Sequence, residues 1–339
     1  MKSSSAAMPG VVFRLGHLGD VALTTGVLAH WHAVRGDTFV FVTRTANAPL
    51  FDNHPAVVRV VGLEDRHLRD AWPATARELA REFARHELID LHGTLRSRVL
   101  GWLWRGPVRR YPKQGITRRL FGLSRLDRLR IKLEATTVPQ RYALARDSDA
   151  PEAAVITPRL FLTEAELAGA DERLTGMNRH KPRIALHPYA THPAKQWPRG
   201  HWQELTRLLT AAGMGWFVVG RDAAPLVRDN RRDYTNATSL RETCALMARA
   251  DLLITADSGP MHLAGGVGTP AAALFGPTVR AWGFFPAGAH DRIIEADLDC
   301  RPCSLHGGKP CAKAQACLTT IRPEAVMAVV RQMLAGKKA

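Results

Sequence analysis

The segment Ala256–Ala264 reads Ala-Asp-Ser-Gly-Pro-Met-His-Leu-Ala. It follows the apolar run Leu252-Leu253-Ile254 and leads toward Gly268-Thr269-Pro270, Ala271–Phe275 and Gly276-Pro277-Thr278. That order predicts strand, tight turn, short helix, turn, strand. Pro260 suits the first helical position, where its missing N–H loses no partner. The backbone N–H groups of Gly259, Met261 and His262 are then expected free at the positive end of the helix, a place that favours a phosphate. Asp257 and His262 add polar side chains at the mouth.

Three more polar clusters stand in comparable positions. Gly16-His17-Leu18-Gly19-Asp20 follows an apolar strand and opens a helix, without the full dinucleotide fingerprint. Asp20 there is a helix cap on one reading and a proton acceptor for an incoming hydroxyl on the other. Local sequence favours the cap. Ile89-Asp90-Leu91-His92-Gly93-Thr94-Leu95-Arg96-Ser97 is a second strand-to-helix turn. Arg96 is either solvated or the fork that holds an anionic acceptor. His187–Pro198 is a Pro-rich loop that includes Thr191 and the single Lys195. Its ammonium suits a pyrophosphate leaving group, and the alternative is a solvated loop over Trp197.

A fifth cluster is Cys300, Cys303, Cys311 and Cys317, spaced C-x2-C-x7-C-x5-C with His306 between. Four thiols at short range invite a structural zinc. The longer spacings are not those of paired knuckles, and the alternative is four reduced cysteines packing a loop. Cys244, on a helical pattern, reads as core.

The surrounding pattern decides where these loops sit. Val11–Leu15, 38–43, Val57–Val61 and Leu88–Leu91 read as strands, with helices over Asp20–Val34, Ala74–Arg85 and Leu95–Trp104. A second series follows a boundary at 150–163, marked by Pro151 and Pro158. It has strands at Ile184–His187, Trp216–Gly220 and Leu252–Thr255 and helices at Arg199–Ala212 and Leu240–Ala250. Alternation of this kind builds parallel α/β sheets, whose ligands lie at the carboxyl ends of the strands. The expected fold is therefore α/β, with two Rossmann-like domains facing across a cleft. The domains are expected at 1–160 and 161–322, with a C-terminal helix at 323–339 packing back on the first. The basic stretch 111–149 is weakly patterned and reads as a flap or a surface helix.

The chain has 339 residues and a formal net charge of +16, much of it between Arg96 and Arg146. Composition is that of a soluble globular protein, with no unbroken apolar run that spans a bilayer and no visible signal peptide. A cytoplasmic protein is expected. The charge is a solvated face, a nucleic-acid surface, or attraction to an anionic membrane or phosphorylated acceptor. No interleaved aromatic pattern or nucleic-acid module accompanies it, so no nucleic-acid partner is expected.

Taken in order, the motifs resemble the ADP-heptose:lipopolysaccharide heptosyltransferases, glycosyltransferase family 9. The resemblance is carried by Arg14–Thr25, by Asp90–Ser97, by Lys195-Gln196-Trp197-Pro198, by Asp257–Ala264 with Gly268-Thr269-Pro270 and Phe275–Thr278, and by the Cys-rich segment before Thr320–Glu324. It implies a GT-B fold and inverting transfer of heptose from an ADP-sugar to an anionic glycolipid of the lipopolysaccharide inner core, at the inner face of the cytoplasmic membrane. It implies Asp20 as general base and Gly19 and Arg96 at the acceptor. It implies donor contacts from Lys195, Thr191, Asp222, Asp257, Ser258, Gly259, Pro260, Met261 and His262. Asp222 stands where a ribose-binding Glu is looked for, after Val218-Val219-Gly220-Arg221. No cofactor is expected for the chemistry, and zinc on the four cysteines would be structural. The alternatives are a GT-B enzyme for another nucleotide sugar, including an epimerase, or a basic binding module.

Overall fold

Short apolar strands alternating with amphipathic helices can bury both faces of a sheet only by covering each face with helices. The protein does this twice. The computed structural model describes residues 8–229, 231–308, 311 and 313–336. In chain order the first elements are β1 (Gly10–Phe13), α1 (Leu18–Arg35), β2 (Phe39–Arg44), β3 (Val57–Leu63), α2 (Asp65–Arg69), α3 (Trp72–Glu82), β4 (Leu88–Asp90), α4 (Leu95–Leu103) and β5 (Val108–Arg110). Three helices follow, α5 (Gly115–Ser124), α6 (Asp127–Glu134) and α7 (Val138–Ala143). Next come α8 (Glu164–Arg173), β6 (Arg183–His187), α9 (Arg199–Ala211), β7 (Gly215–Val218), α10 (Leu240–Ala248) and β8 (Leu252–Ala256). The chain then forms α11 (Gly259–Gly266), β9 (Ala271–Phe275), β10 (Arg292–Glu295), α12 (Ala316–Thr319) and α13 (Pro323–Gly336).

Two compact units result. The first holds the residues up to Lys113 together with Val138–Phe161, and the second holds Gln114–Thr137 and the residues from Leu162 onward. The uninterrupted 1–160 domain expected from sequence is thus broken by the α5–α6 segment, which belongs to the second unit. The reason is apolar: Phe121 and Leu133 cluster with Ala281 and Trp282. α13 likewise belongs to the second unit and not to the first, because Val326, Met327 and Val330 complete a core with Trp202, Leu205 and Leu209.

Each unit carries one five-stranded sheet in which every pairing is parallel. The first has the order β3-β2-β1-β4-β5, the Rossmann order, and it reverses direction between β1 and β4. The second has the order β10-β9-β8-β6-β7, the flavodoxin-like order, and it reverses between β6 and β8. Such switch points open a crevice beyond the strand ends, because the connections on either side of it leave in opposite directions. β5 and β10 carry no strand signal in the sequence. Both are edge strands of mixed polarity, Val-Arg-Arg and Arg-Ile-Ile-Glu, without the apolar run that marks a central strand. Cys244 is buried on α10, and burial pushes its thiol up to about 12. Among the described residues no helix is long and apolar enough to cross a membrane.

Candidate active site

At the first switch point, Arg14 is the residue that follows β1, and it is buried. A buried guanidinium must be paired and hydrogen-bonded. Its Nη1 donates to the Leu91 carbonyl at 2.8 Å, its Nη2 lies 2.6 Å from Oδ2 of Asp20, and its guanidinium lies 5.5 Å from the Tyr142 ring. Asp20 is on the first turn of α1, and the same Oδ2 accepts the His17 N–H at 3.1 Å. One carboxylate therefore caps the helix and neutralises Arg14. Burial alone would push the Asp20 carboxyl up, but the Arg14 charge and the His17 N–H outweigh it and hold the group below its ordinary range.

The turn after β4 supplies the opposite wall. Asp90 Oδ1 accepts the N–H groups of His92 and Gly93, each at 2.9 Å, and Lys113 Nζ donates to the carbonyls of His92 and Gly93 at 3.3 and 3.0 Å. His92 is held down to about 3 by burial, then by the Arg14, Lys113 and Arg96 charges, with Asp20 acting in the other direction. Arg14 and Lys113 both donate to the His92 carbonyl, at 3.4 and 3.3 Å. Arg96 is exposed on the first turn of α4, and Gly19 is half-buried on the first turn of α1. His92 Nδ1 is buried with no hydrogen-bond partner among the described residues.

The second switch point joins His187, at the end of β6, to Thr255, its register partner on β8. His187 Nδ1 lies 3.3 Å from both Thr255 Oγ1 and Ser258 Oγ. Burial pushes His187 down to about 4, so a neutral imidazole lies beneath the Ser258 turn at neutral pH. Gly220, two residues beyond the end of β7, has φ 131°, and a Cβ there would fall 2.7 to 2.9 Å from the Tyr189 and His187 rings. Only glycine leaves those rings in place.

Lys195 reaches the same strand ends from a short turn, Pro193–Lys195. Its Nζ lies 2.7 Å from Asp257 Oδ2, which also accepts the Thr278 hydroxyl at 2.6 Å. Asp257 is thus the carboxylate that fixes the lysine. The anion-binding turn differs from expectation in detail. α11 begins at Gly259, so Pro260 is its second residue, and the Met261 N–H donates to the Ser258 carbonyl at 3.2 Å and is not free. Ser258 turns its hydroxyl toward His187 and the Ala256 carbonyl, and His262 is buried. Asp222 is spent on a turn, with Oδ1 accepting the Ala224 N–H at 2.9 Å, and Thr191 is exposed.

The Cys-rich segment closes over the lysine. Gly307, at φ 84°, passes so near that a Cβ would stand 2.9 Å from Lys195 Cγ. Arg301 ties the segment down by donating to the carbonyls of Gly276, Ala296 and Thr278 at 2.6, 2.6 and 2.9 Å. The thiols lie near one another: burial first, then neighbouring thiols, raise both Cys303 and Cys317. Among the described residues, however, no three His, Cys, Asp or Glu side chains stand where they would hold a metal ion.

Arg14, His92, His187, Thr278, Arg301 and Gly307 stand in or against these sites without having been singled out by the sequence. Arg14 did carry a signal: a charge placed directly after Val-Val-Phe on a central strand must be buried, and therefore paired.

The chain is similar to known proteins in sequence and in fold. The family model described as glycosyltransferase family 9 (heptosyltransferase) matches residues 75–311. Lipooligosaccharide heptosyltransferase 2 of Haemophilus influenzae is 31% identical over 160 residues, covering 41% of this chain and 46% of that protein, so this match spans about half of the relative's length. Lipopolysaccharide heptosyltransferase 1 of Pseudomonas aeruginosa is 27% identical over 319 residues, covering 86% and 85%. Among solved structures, the family 9 glycosyl transferase of Veillonella parvula superposes with a TM-score of 0.76 at 20% identity, covering 97% of this chain and 98% of that one. The Escherichia coli ADP-heptose lps heptosyltransferase II does so with 0.72 at 20%, covering 98% and 100%. The α/β fold is that of these GT-B-type enzymes, and the chain belongs to glycosyltransferase family 9 (heptosyltransferase).

Proposed function

We propose that the protein is an inverting glycosyltransferase that moves heptose from ADP-heptose to a lipopolysaccharide inner-core acceptor. The observation that carries the reading is a pair of charged sites, each built at a sheet's switch point. One presents a half-buried carboxylate, Asp20, held by buried Arg14. The other presents a lysine, Lys195, held by Asp257 beside the start of α11. The first suits an acceptor hydroxyl and the second a diphosphate.

The chemistry follows from these groups. The acceptor hydroxyl attacks the anomeric carbon from the face opposite ADP, and the carbon–phosphate oxygen bond breaks. The transition state resembles an oxocarbenium ion, by analogy with glycoside hydrolysis. Asp20 is a weak base because Arg14 lowers its proton affinity. It therefore takes the hydroxyl proton late, once the new C–O bond has made that oxygen strongly acidic. Lys195 has three N–H donors and commits one to Asp257, which leaves two for the oxygens of the departing diphosphate. The N-terminus of α11 adds a fixed partial positive charge. These groups supply the charge the leaving group needs, so the proposed chemistry uses no cofactor.

The acceptor is an anionic glycolipid on this reading, met by Arg96 and the turn at Gly19, and the enzyme works peripherally on the inner face of the cytoplasmic membrane. A structural zinc on Cys300, Cys303, Cys311 and Cys317 is a separate proposal that rests on their spacing, and it requires the thiols to draw closer than they stand. Near-stoichiometric zinc in protein purified without chelator supports it, and metal-free, fully folded protein disposes of it. The transferase reading is tested by following ADP release from ADP-heptose with and without a heptose-free lipopolysaccharide acceptor. Acceptor-dependent release with heptose transferred supports it. Release of a free epimer, or preference for a UDP- or GDP-sugar, contradicts it.

A further inference from the structure

The α5–α6 segment presents apolar residues on two faces. The inner face is packed: Phe121 and Leu133, with Leu129 beside them, lie against Ala281 and Trp282, and the Phe121 and Trp282 rings are 5.6 Å apart. Arg125, between the helices, donates to the carbonyls of Cys300 and Arg301 at 3.0 and 3.2 Å, and to those of Asp299 and Pro302. The segment is therefore anchored in the second unit. On α5 the residues Ile116, Leu120 and Leu123 fall at i, i+4 and i+7, which is one stripe along a helix. They are 76%, 50% and 83% exposed. Leu126 in the connection and Ile131 on α6 are exposed as well, at 44% and 64%.

A single exposed leucine is ordinary, but five large apolar side chains held open on one anchored hairpin mark an interaction surface. Charge identifies the partner. Residues 114–137 contain Arg118, Arg119, Arg125, Arg128, Arg130 and Lys132 against Asp127 and Glu134, a balance of +4. Both carboxylates are taken by Arg130, at 3.0 and 3.5 Å. Arg119 flanks the apolar stripe, and Arg128 and Lys132 are exposed one turn apart on α6.

We propose that the outer face of the α5–α6 hairpin docks the enzyme on an anionic bilayer. Ile116, Leu120 and Leu123 enter the boundary between headgroups and acyl chains, and Arg119, Arg128 and Lys132 lie against lipid phosphates. A second copy of this chain would bring like charges together, and a nucleic acid would leave the apolar stripe unused. The proposal deepens the reading above, which places the acceptor in a membrane, and rests on it for its purpose.

The test is flotation of the full-length protein with vesicles of phosphatidylcholine, alone or mixed with phosphatidylglycerol. Binding is expected to the mixed vesicles and to weaken as salt rises. It should fall by about tenfold or more in the triple variant Ile116→Ser, Leu120→Ser, Leu123→Ser, and likewise in Arg119→Glu, Arg128→Glu, Lys132→Glu. Transfer to a delipidated, water-soluble acceptor should be unchanged in both. That assay separates the two proposals, since lost transfer with intact docking would overturn only the function. Equal binding to neutral vesicles, or unchanged binding in the variants, would overturn the docking proposal. So would a dimer that the apolar variant abolishes while the wild type ignores vesicles. Should the apolar variant fold poorly, the charge-reversal variant decides.

Discussion

Arg14 and Asp20 meet at 2.6 Å, at the point where the first sheet reverses its strand order. The pair is nearly closed to solvent, with side-chain exposures of 7% and 14%. Neither charge would be stable there alone. Their pairing explains how a carboxylate can stay ionised in a buried place and still stand at the end of a helix, where a hydroxyl can reach it.

Replacing Arg14 with Met should leave the half-buried Asp20 without its cation, held only by the His17 N–H. Breaking a pair of this kind costs about 3–5 kcal/mol. Burial would then dominate and raise the Asp20 carboxyl. In the wild type the folded group lies below the ordinary carboxylate range, so its contribution to stability is complete above that range and is lost as pH falls through the lower folded value. The variant should show a lower midpoint in chemical denaturation and an acid limb of kcat displaced to higher pH. An unmoved acid limb would remove Arg14 from the account.

Two histidines of these sites, half-buried His92 and buried His187, predict the pH profile of the wild type. His92, at about 3, and His187, at about 4, are both neutral well above those values, whereas an unfolded histidine takes up a proton near 6.5. Stability should therefore decline as pH falls below 6.5, because the unfolded chain then binds more protons. Activity should stay level from about pH 5.5 to 8, with no limb of histidine origin. A titration near 6.5 in kcat that disappears in His92→Gln or His187→Gln would contradict this.

Lys195→Ala should weaken donor binding and lower kcat on the order of a hundredfold, as removal of one preorganised donor does. Asp257→Asn should behave as a milder version, since the lysine keeps its charge and loses its fixed partner. Isothermal titration with ADP and steady-state kinetics measure both effects. Equal, small effects of the two changes would mean that Lys195 does not meet the diphosphate.

Arg301 lies outside the charged site and acts through it. It holds the Thr278 carbonyl, Thr278 holds Asp257, and Asp257 holds Lys195. Arg301→Lys keeps the charge but cannot reproduce three directed bonds to carbonyls. It should raise the KM for donor several-fold with little change in kcat. A loss confined to thermal stability would reduce Arg301 to a structural tie.

Much of this was legible beforehand for a physical reason. The strands β1, β2, β6 and β8 are apolar runs, and the helices between them repeat at helical spacing, so the two α/β series and the polar loops at their ends could be read directly. The α5–α6 hairpin was not legible, because Phe121 and Leu133 face a core while Ile116 and Leu123 face outward, and apolar residues on two faces blur the helical period. Asp20 read locally as a cap, and it is one. Only the folded chain brings Arg14 from the end of β1 to the same carboxylate oxygen. Thr278 and Arg301 gave no local sign, since their partners are backbone and side chains far along the chain.

The most direct test of the central claim is to compare Asp20→Asn with the wild type in two assays, ADP-heptose binding by calorimetry and heptose transfer to a lipopolysaccharide acceptor. Asn keeps the size of the side chain and its place at the helix start while removing the charge and the proton acceptor. With Asp20 as the base, kcat should fall about 10²–10⁴-fold with donor affinity nearly unchanged. Transfer at the wild-type rate, or a parallel loss of donor binding and turnover, would contradict it.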